Sequence, residues 1–452
     1  MISLTSLGGA AGVTGSKHLL EAGGHKLLVD AGLFQGLKRL REKNWEPLPV
    51  KPADVDAVVL THAHLDHSGY IPKLVRDGFR GPVYASAATG DVAEIILRDS
   101  AHLQEKDAEF ANRHGFSKHR PALPLYGLRD AARAIERFEP TPFHKTIAVA
   151  GGARVTLRRA GHILGAATAD IQWHGVRIVF SGDLGRYGDA TMVDPEPVPE
   201  ADYVVVESTY GDRRHPNVDP EEALLEVIER TTGRGGTVLI PTFAVGRAQS
   251  LLYHLWRLKA SGRLPLTPIY LDSPMAIDAT ELLHKHQDDH RIPYEACAEV
   301  CATATYVHDV EHSKAVTASP VPKVILAASG MATGGRVLHH IKSYGPDRRN
   351  TILFSGFQAA GTRGRSMVEG AGEVKIHGQW IPIRAEVANL QMLSAHADAG
   401  EILRWLGRFR RPPRKVFIVH GEPHASDALR LRIKDELGWA SVVPDMLERF
   451  EL

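Results

Sequence analysis

Thr61-His62-Ala63-His64-Leu65-Asp66-His67-Ser68-Gly69 puts four side chains of metal-ligand type within six residues. The preceding Asp54-Val55-Asp56-Ala57-Val58-Val59-Leu60 ends in an apolar, β-branched run that reads as a buried strand. The following Gly69-Tyr70-Ile71-Pro72-Lys73-Leu74-Val75 reads as the opening of a helix. The cluster therefore sits on a strand-to-helix loop. On such a loop His62 and His64 can point into one pocket, while Asp66 and His67 reach a second position beside it. Imidazole with carboxylate favours zinc among the common divalent ions, and manganese or iron accept the same set. With 24 histidines in 452 residues a lone His says little. Three with an Asp in this register say more than a His-rich surface loop would.

The chain is long enough for two or three domains, and its 43% hydrophobic and 24% charged residues are those of a globular protein. A net charge of +1 excludes a global attraction for polyanions, so any nucleic-acid contact must use local basic patches. Met1-Ile2-Ser3-Leu4-Thr5-Ser6-Leu7-Gly8-Gly9 lacks a basic segment followed by a long apolar core, and no apolar run reaches membrane-spanning length. The expectation is a cytoplasmic protein without a membrane partner. Cys297 and Cys301, spaced i, i+4, are too few for a disulfide framework or a thiolate metal site and read as structural thiols.

Upstream of the cluster, glycine-punctuated apolar segments read as hairpins, and Lys26-Leu27-Leu28-Val29-Asp30 closes one strand with a carboxylate. Beside a His cluster, Asp30 becomes a candidate to orient a ligand from behind. Downstream, Val92, Ile95, Ile96, Ala101 and Leu103 mark a helix within 91–111, running into a charged stretch, Arg113 to Arg120. His162 lies between glycines in Ala160-Gly161-His162-Ile163-Leu164-Gly165, and Asp183 follows the strand Val176-Arg177-Ile178-Val179-Phe180. They supply a third His for one metal and a carboxylate able to bridge both. After Glu207 the character changes. Helix and strand alternate through Pro220 to Arg230, Gly236 to Pro241, Arg247 to Leu255, Pro268 to Asp272 and Lys323 to Ala327, which implies a parallel α/β module over about 209–375. The tail adds His396, ahead of a helix from Glu401, and His420, at the end of the apolar strand Lys415-Val416-Phe417-Ile418-Val419.

Assembled, these pieces resemble the β-CASP branch of the metallo-β-lactamase fold, the RNA- and DNA-processing nucleases that include the pre-mRNA 3′-end endonuclease and ribonuclease J. The likeness runs through nearly the whole chain in order. Its markers are Leu28-Val29-Asp30, His62 to His67, Gly161-His162, Gly182-Asp183, Glu207-Ser208-Thr209-Tyr210-Gly211-Asp212, Ser394-Ala395-His396 and Val419-His420-Gly421. Pro241 to Gln249, Leu271 to Ala276 and Ser329 to Arg336 extend it. The resemblance implies an α/β protein with an αββα metallo-β-lactamase domain in two parts, 1–208 and 376–452, and a parallel α/β β-CASP domain inserted at 209–375. It implies two zinc ions, with manganese as a substitute. One takes His62, His64, His162 and Asp183; the other takes Asp66, His67, Asp183 and His420. His396 resembles the family's general acid and Glu207 its acidic partner; with Asp66 they form the expected catalytic group. A His at 420 is typical of RNA-directed members. One departure stands at Gly12, where relatives often carry an acidic residue.

The substrate implied is single-stranded RNA, cut to 5′-phosphate and 3′-hydroxyl ends, internally or from the 5′ end, by a monomer or a homodimer. Ser329, Gly330, Thr333, Gly334, Gly335 and Arg336 before a helix suggest a phosphate contact, with a tight turn as the plainer account. Arg247 and Arg363 are expected to line a cleft between domains. A small-ester hydrolase of the same fold needs neither the inserted module nor His396 with Glu207, and a non-catalytic RNA scaffold does not need all seven ligands.

Overall fold

Side chains alternate along the early strands between two buried environments, and that alternation builds the first unit. The computed structural model describes residues 1–115, 117, 119–264 and 266–452; Phe116 and Lys118, from the charged stretch, lie outside them, as does Pro265.

The first unit comprises residues 1–214 and 396–452. One seven-stranded sheet runs in the order Arg449–Glu451, Ile2–Gly8, Lys17–Ala22, His25–Val29, Ala57–Val59, Val83–Ala85, Phe138–Pro140. The other runs Ser441–Val442, Lys415–Ile418, Tyr203–Val206, Val176–Phe180, Ala167–Trp173, Arg154–Arg159, Thr146–Ala148. Leu4, Leu20, Leu27, Val29 and Val59 of the first sheet share a core with Val155, Ile171, Ile178, Val205 and Phe417 of the second, so the sheets lie face to face. Leu28 and Val58, pointing the other way, are also fully buried, which requires a covering layer on that face. Helices Ile71–Arg76, Ala87–His114 and Leu128–Ile135 occur in this part of the chain and pack on one another. On the second sheet, Val179, Val204, Val206 and Val416 pack against Ile402, Trp405 and Leu429 of helices Ala399–Leu406 and Pro423–Arg432. This is the αββα layering expected from the sequence.

The topology also places the functional loops. Ala57–Val59 is parallel to His25–Val29, and Tyr203–Val206 is parallel to both Val176–Phe180 and Lys415–Ile418. The residues following these parallel strands, Asp30, His62, Asp183, Glu207 and His420, therefore emerge at carboxyl ends, where open α/β sheets gather ligands.

The second unit, residues 215–395, holds a six-stranded sheet in the order Thr305–Tyr306, Ile269–Asp272, Val324–Ala327, Val238–Pro241, Thr351–Phe354, Glu386–Asn389, with every pair parallel. Val238, Ile240 and Leu326 face one core and Leu239, Ile325 and Ile352 another, so both faces are covered, as parallel sheets require. The unit's end differs from the boundary expected at 375/376. Glu386–Asn389 completes the parallel sheet beside Thr351–Phe354, and the hairpin Glu373–Ile376 with Gln379–Pro382 contributes Ile376 and Ile381 to the second core. Both therefore belong with residues 215–395. Cys297 and Cys301 share the helix Tyr294–Ala302, the first buried and the second partly so. Among the described residues no helix is long and apolar enough to cross a membrane.

Candidate metal centre

The loop after Ala57–Val59 is fixed before its ligands are. Backbone bonds tie Ser16 to Asp66, Ala31 to His67 and Leu33 to Leu65. Gly32 is needed there, because a Cβ would stand 1.6 Å from the Asp66 carbonyl oxygen. On this frame Asp30 accepts from the Thr61 amide at 2.7 Å, from the Thr61 hydroxyl at 2.9 Å and from His67 Nδ1 at 2.7 Å. The Thr61 hydroxyl in turn meets His62 Nδ1 at 3.2 Å. One carboxylate thereby sets the direction of two imidazoles and turns Nε2 of each toward the centre.

Two donor sets result. In the first, His64 Nδ1 lies 3.2 Å from both His62 Nε2 and His162 Nε2, and these lie 3.4 and 3.5 Å from Asp183 Oδ2. A tetrahedron of donors about 2.0–2.1 Å from a zinc ion has edges of about 3.3–3.4 Å, so the set fits such an ion. In the second, His67 Nε2 lies 3.3 Å from Asp183 Oδ1, and His420 Nε2 lies 3.3 Å from Asp66 Oδ2. His67 Nε2 and Asp183 Oδ1 are buried and form no hydrogen bond, which a cation between them would account for. Asp183 thus turns Oδ2 to His62 and His162 and Oδ1 to His67 and His420, at 3.3 and 3.5 Å, while Asp66, His67 and His420 cluster as a trio of their own. His420 adopts a left-handed backbone, φ 50°, held by its amide on the Gly9 carbonyl at 2.7 Å; its Nδ1 meets the Thr209 hydroxyl at 3.2 Å.

In the first set the electrostatics suit the same use. Burial pushes His62 far below the ordinary histidine value and His64 down to about 4, so both are neutral and able to donate lone pairs. Burial would raise Asp183, yet the surrounding imidazoles, His420 and His67 foremost, hold it well below the usual carboxylate range. His64 and Asp66 stay partly exposed while the other five donors are buried, which leaves one side of the centre reachable.

His396 stands beside this centre, its Nδ1 3.1 Å from Glu207 Oε2 and 3.9 Å from Asp183 Oδ2. Glu207 is buried and accepts from the Leu184 amide at 2.6 Å. Burial pushes His396 down, but the Glu207 and Asp183 charges and the Glu207 hydrogen bond outweigh it and raise the imidazole above its ordinary value.

The expected substrate contacts fall in the second unit and are differently employed. Arg336 donates to Asp272 at 2.6 Å and to the Val307 and His308 carbonyls, each at 2.8 Å. Arg363 donates to the Lys375, Ala332 and Thr333 carbonyls. Both guanidinium groups thus brace loops of their own unit. The helix end expected to offer amides to phosphate has its first donors taken: Val337 bonds Ala328, Leu338 bonds Gly335 and His339 bonds Arg336. The Ser329 hydroxyl accepts from the Thr333 and Gly334 amides and closes the turn, with Gly330 set against Phe243. The plainer account, a tight turn, describes this geometry. Arg247 opens the helix Arg247–Ala260 near Gly356. Thr61 and Thr209 orient His62 and His420 through their hydroxyls, roles that their places in the quoted motifs do not reveal.

Sandwich and donor sets define a metallohydrolase. Comparison with known proteins is more specific. The Metallo-beta-lactamase superfamily model matches residues 14–242, the Beta-Casp domain model 248–367, and that of the Zn-dependent metallo-hydrolase RNA specificity domain 380–444. Ribonuclease TTHA0252 of Thermus thermophilus is 40% identical over 431 residues, 93% of either chain. Transcription termination factor FttA of Methanocaldococcus jannaschii is 32% identical over 447 residues, 93% of this chain and 67% of that one. A crystal structure of a protein of unknown function from Enterococcus faecalis V583 aligns over the full length of both chains with a TM-score of 0.55 at 13% identity, a likeness of fold alone. The chain belongs to the β-CASP branch of the metallo-β-lactamase superfamily and is a metal-dependent hydrolase of that nuclease family.

Proposed function

We propose that the protein is a cytoplasmic, zinc-dependent ribonuclease that hydrolyses single-stranded RNA to 5′-phosphate and 3′-hydroxyl products, cutting internally and, as a second mode, from the 5′ end. The observation that carries this reading is the His396–Glu207 pair standing beside Asp183, whose two oxygens lie near His62 and His162 on one side and His67 and His420 on the other. His62, His64, His162 and Asp183 would hold one zinc, and Asp66, His67, Asp183 and His420 the other, with manganese as a substitute. When bound, such a pair supplies Lewis acidity toward water and toward the non-bridging oxygens of a phosphodiester.

The chain's own groups do the rest. Asp66, partly exposed, accepts a hydrogen bond from the attacking water. Glu207 holds His396 by Nδ1 and favours the imidazolium, so a proton is presented from Nε2 to the departing 3′-oxygen. No 2′-hydroxyl is needed as nucleophile. RNA is favoured over DNA by His420, by the likeness to a protein named ribonuclease and by the match to an RNA specificity domain. Arg247 and the exposed Thr333 and Gly335 are the second-unit residues kept as substrate contacts.

A zinc-supplemented assay on end-labelled single-stranded RNA tests the proposal. Cleavage is expected to vanish with chelator and to fall about 10²- to 10⁴-fold in His396→Ala, the range general acid catalysis supplies. Intact RNA with turnover of a small ester would make the protein an esterase of the same fold. RNA retained but uncut would make it a scaffold.

A further inference from the structure

The five residues from Asp183 to Tyr187 run from the carboxylate at the centre to the first turn of helix Ala399–Leu406, touching the general acid's loop on the way. The Leu184 amide donates to Glu207, and the Leu184 carbonyl accepts from the Ala397 amide at 2.7 Å. Gly185 forms a β-bridge with His396 itself. A side chain at Gly185 is excluded, since its Cβ would stand 1.9 Å from the Gly161 carbonyl beside His162. The segment then meets Glu401. One carboxylate oxygen accepts from the Tyr187 amide at 3.0 Å; the other accepts from the Asp398 amide at 2.9 Å and lies 3.6 Å from Arg186 Nε. Arg404, from the same helix, stacks over the Tyr187 ring at 3.8 Å.

The contacts close a ring: Asp183 to Gly185, across the bridge to His396, along the chain to Asp398, through Glu401 to Tyr187, and back. Every other link is covalent or backbone to backbone. Glu401 is the side-chain link. A helix-capping glutamate normally spends its carboxylate on the N-cap amide alone, as one half of a capping box. Here the second oxygen is spent across the fold, on the segment that carries the central carboxylate.

From this geometry we infer that Glu401 is a positioning residue for the reaction: it holds the loop of His396 in register with Asp183, so the proton is delivered where the leaving oxygen departs. The inference rests on the reading of His396 as general acid. A displacement of about 1 Å at such a group costs about a hundredfold in rate, while a substrate whose leaving group departs without a proton is insensitive to it.

The full-length zinc-loaded protein is assayed on labelled single-stranded RNA and on bis(p-nitrophenyl) phosphate, whose leaving group needs no acid. Wild type, Glu401→Ala, Glu401→Gln and His396→Ala are compared, with bound zinc and the unfolding midpoint measured for each. Glu401→Ala is expected to lower the ratio of RNA to activated-diester kcat by about tenfold to a hundredfold. Bound zinc is expected to match wild type, and Glu401→Gln, with one acceptor oxygen for two amides, to fall between. Equal losses on both substrates, or no loss on RNA, would reduce Glu401 to a helix cap and overturn the proposal. If His396→Ala itself leaves the ratio at the wild-type value, the general-acid reading fails and the proposal falls with it. A selective loss in His396→Ala without one in Glu401→Ala or Glu401→Gln overturns the positioning role alone.

Discussion

At the scale of single residues, the pair His396 and Glu207 makes a signed prediction. The protonated imidazole is the working form, and the Glu207 charge with its hydrogen bond raises that imidazole above the ordinary histidine value against the pull of burial. The alkaline limb of the kcat–pH profile should therefore lie above about pH 6.5, the unperturbed value. Glu207→Gln removes the charge, lowers the imidazole's affinity for a proton, and should move that limb toward acid; an unmoved limb would separate Glu207 from the acid's titration. The roles of His396 and Glu207 were legible through the resemblance, whose markers include Glu207 to Asp212 and Ser394-Ala395-His396. Asp30 was legible by its position beside the His cluster. Thr61 and Thr209 were not, since a hydroxyl's role lies in where it points. Arg336 reads as a phosphate contact and Arg363 as a cleft residue because a guanidinium in a glycine-rich turn has the same sequence whether it faces solvent or the Asp272 carboxylate and backbone carbonyls.

Among the elements, strands and helices with apolar periodicity were readable, and the hairpin Lys17–Ala22 with His25–Val29 forms where the glycines indicated. The edge strand Glu386–Asn389 was missed because all four of its residues are only half-buried and carry no apolar alternation. That is why the second unit extends beyond the expected 375. One buried device in the first unit had no sequence signature. Lys17, 1% exposed, donates to the Gly15 and Gly32 carbonyls at 3.0 and 2.5 Å, between the Phe34 and Tyr70 rings, and so ties the glycine loop to the segment behind the His cluster. Burial pushes its pKa down to about 7. Two N–H groups of a neutral amine match the two acceptors. Between that value and about 10.4, the value in an unfolded chain, the unfolded protein binds a proton the folded one lacks. Stability should therefore climb with pH from about 7 to about 10 and flatten in Lys17→Met, as read by urea unfolding at several pH values; the same slope in both proteins would mean that Lys17 stays charged.

For the whole molecule, the seven donors come from loops spread between His62 and His420, and the two sheets of the first unit bring them to the same ends. The fold was legible because its markers occur in order along the chain, and the comparisons confirm that family. The reaction rests on whether those donors hold a pair of cations. The direct measurement is the metal content of the purified full-length protein, joined to a crystallographic anomalous difference map at the zinc edge. Two ions per chain are expected, one among His62, His64, His162 and Asp183 and the other among Asp66, His67, Asp183 and His420. A chain without transition metal, or with its ions bound away from Asp183, would contradict that expectation.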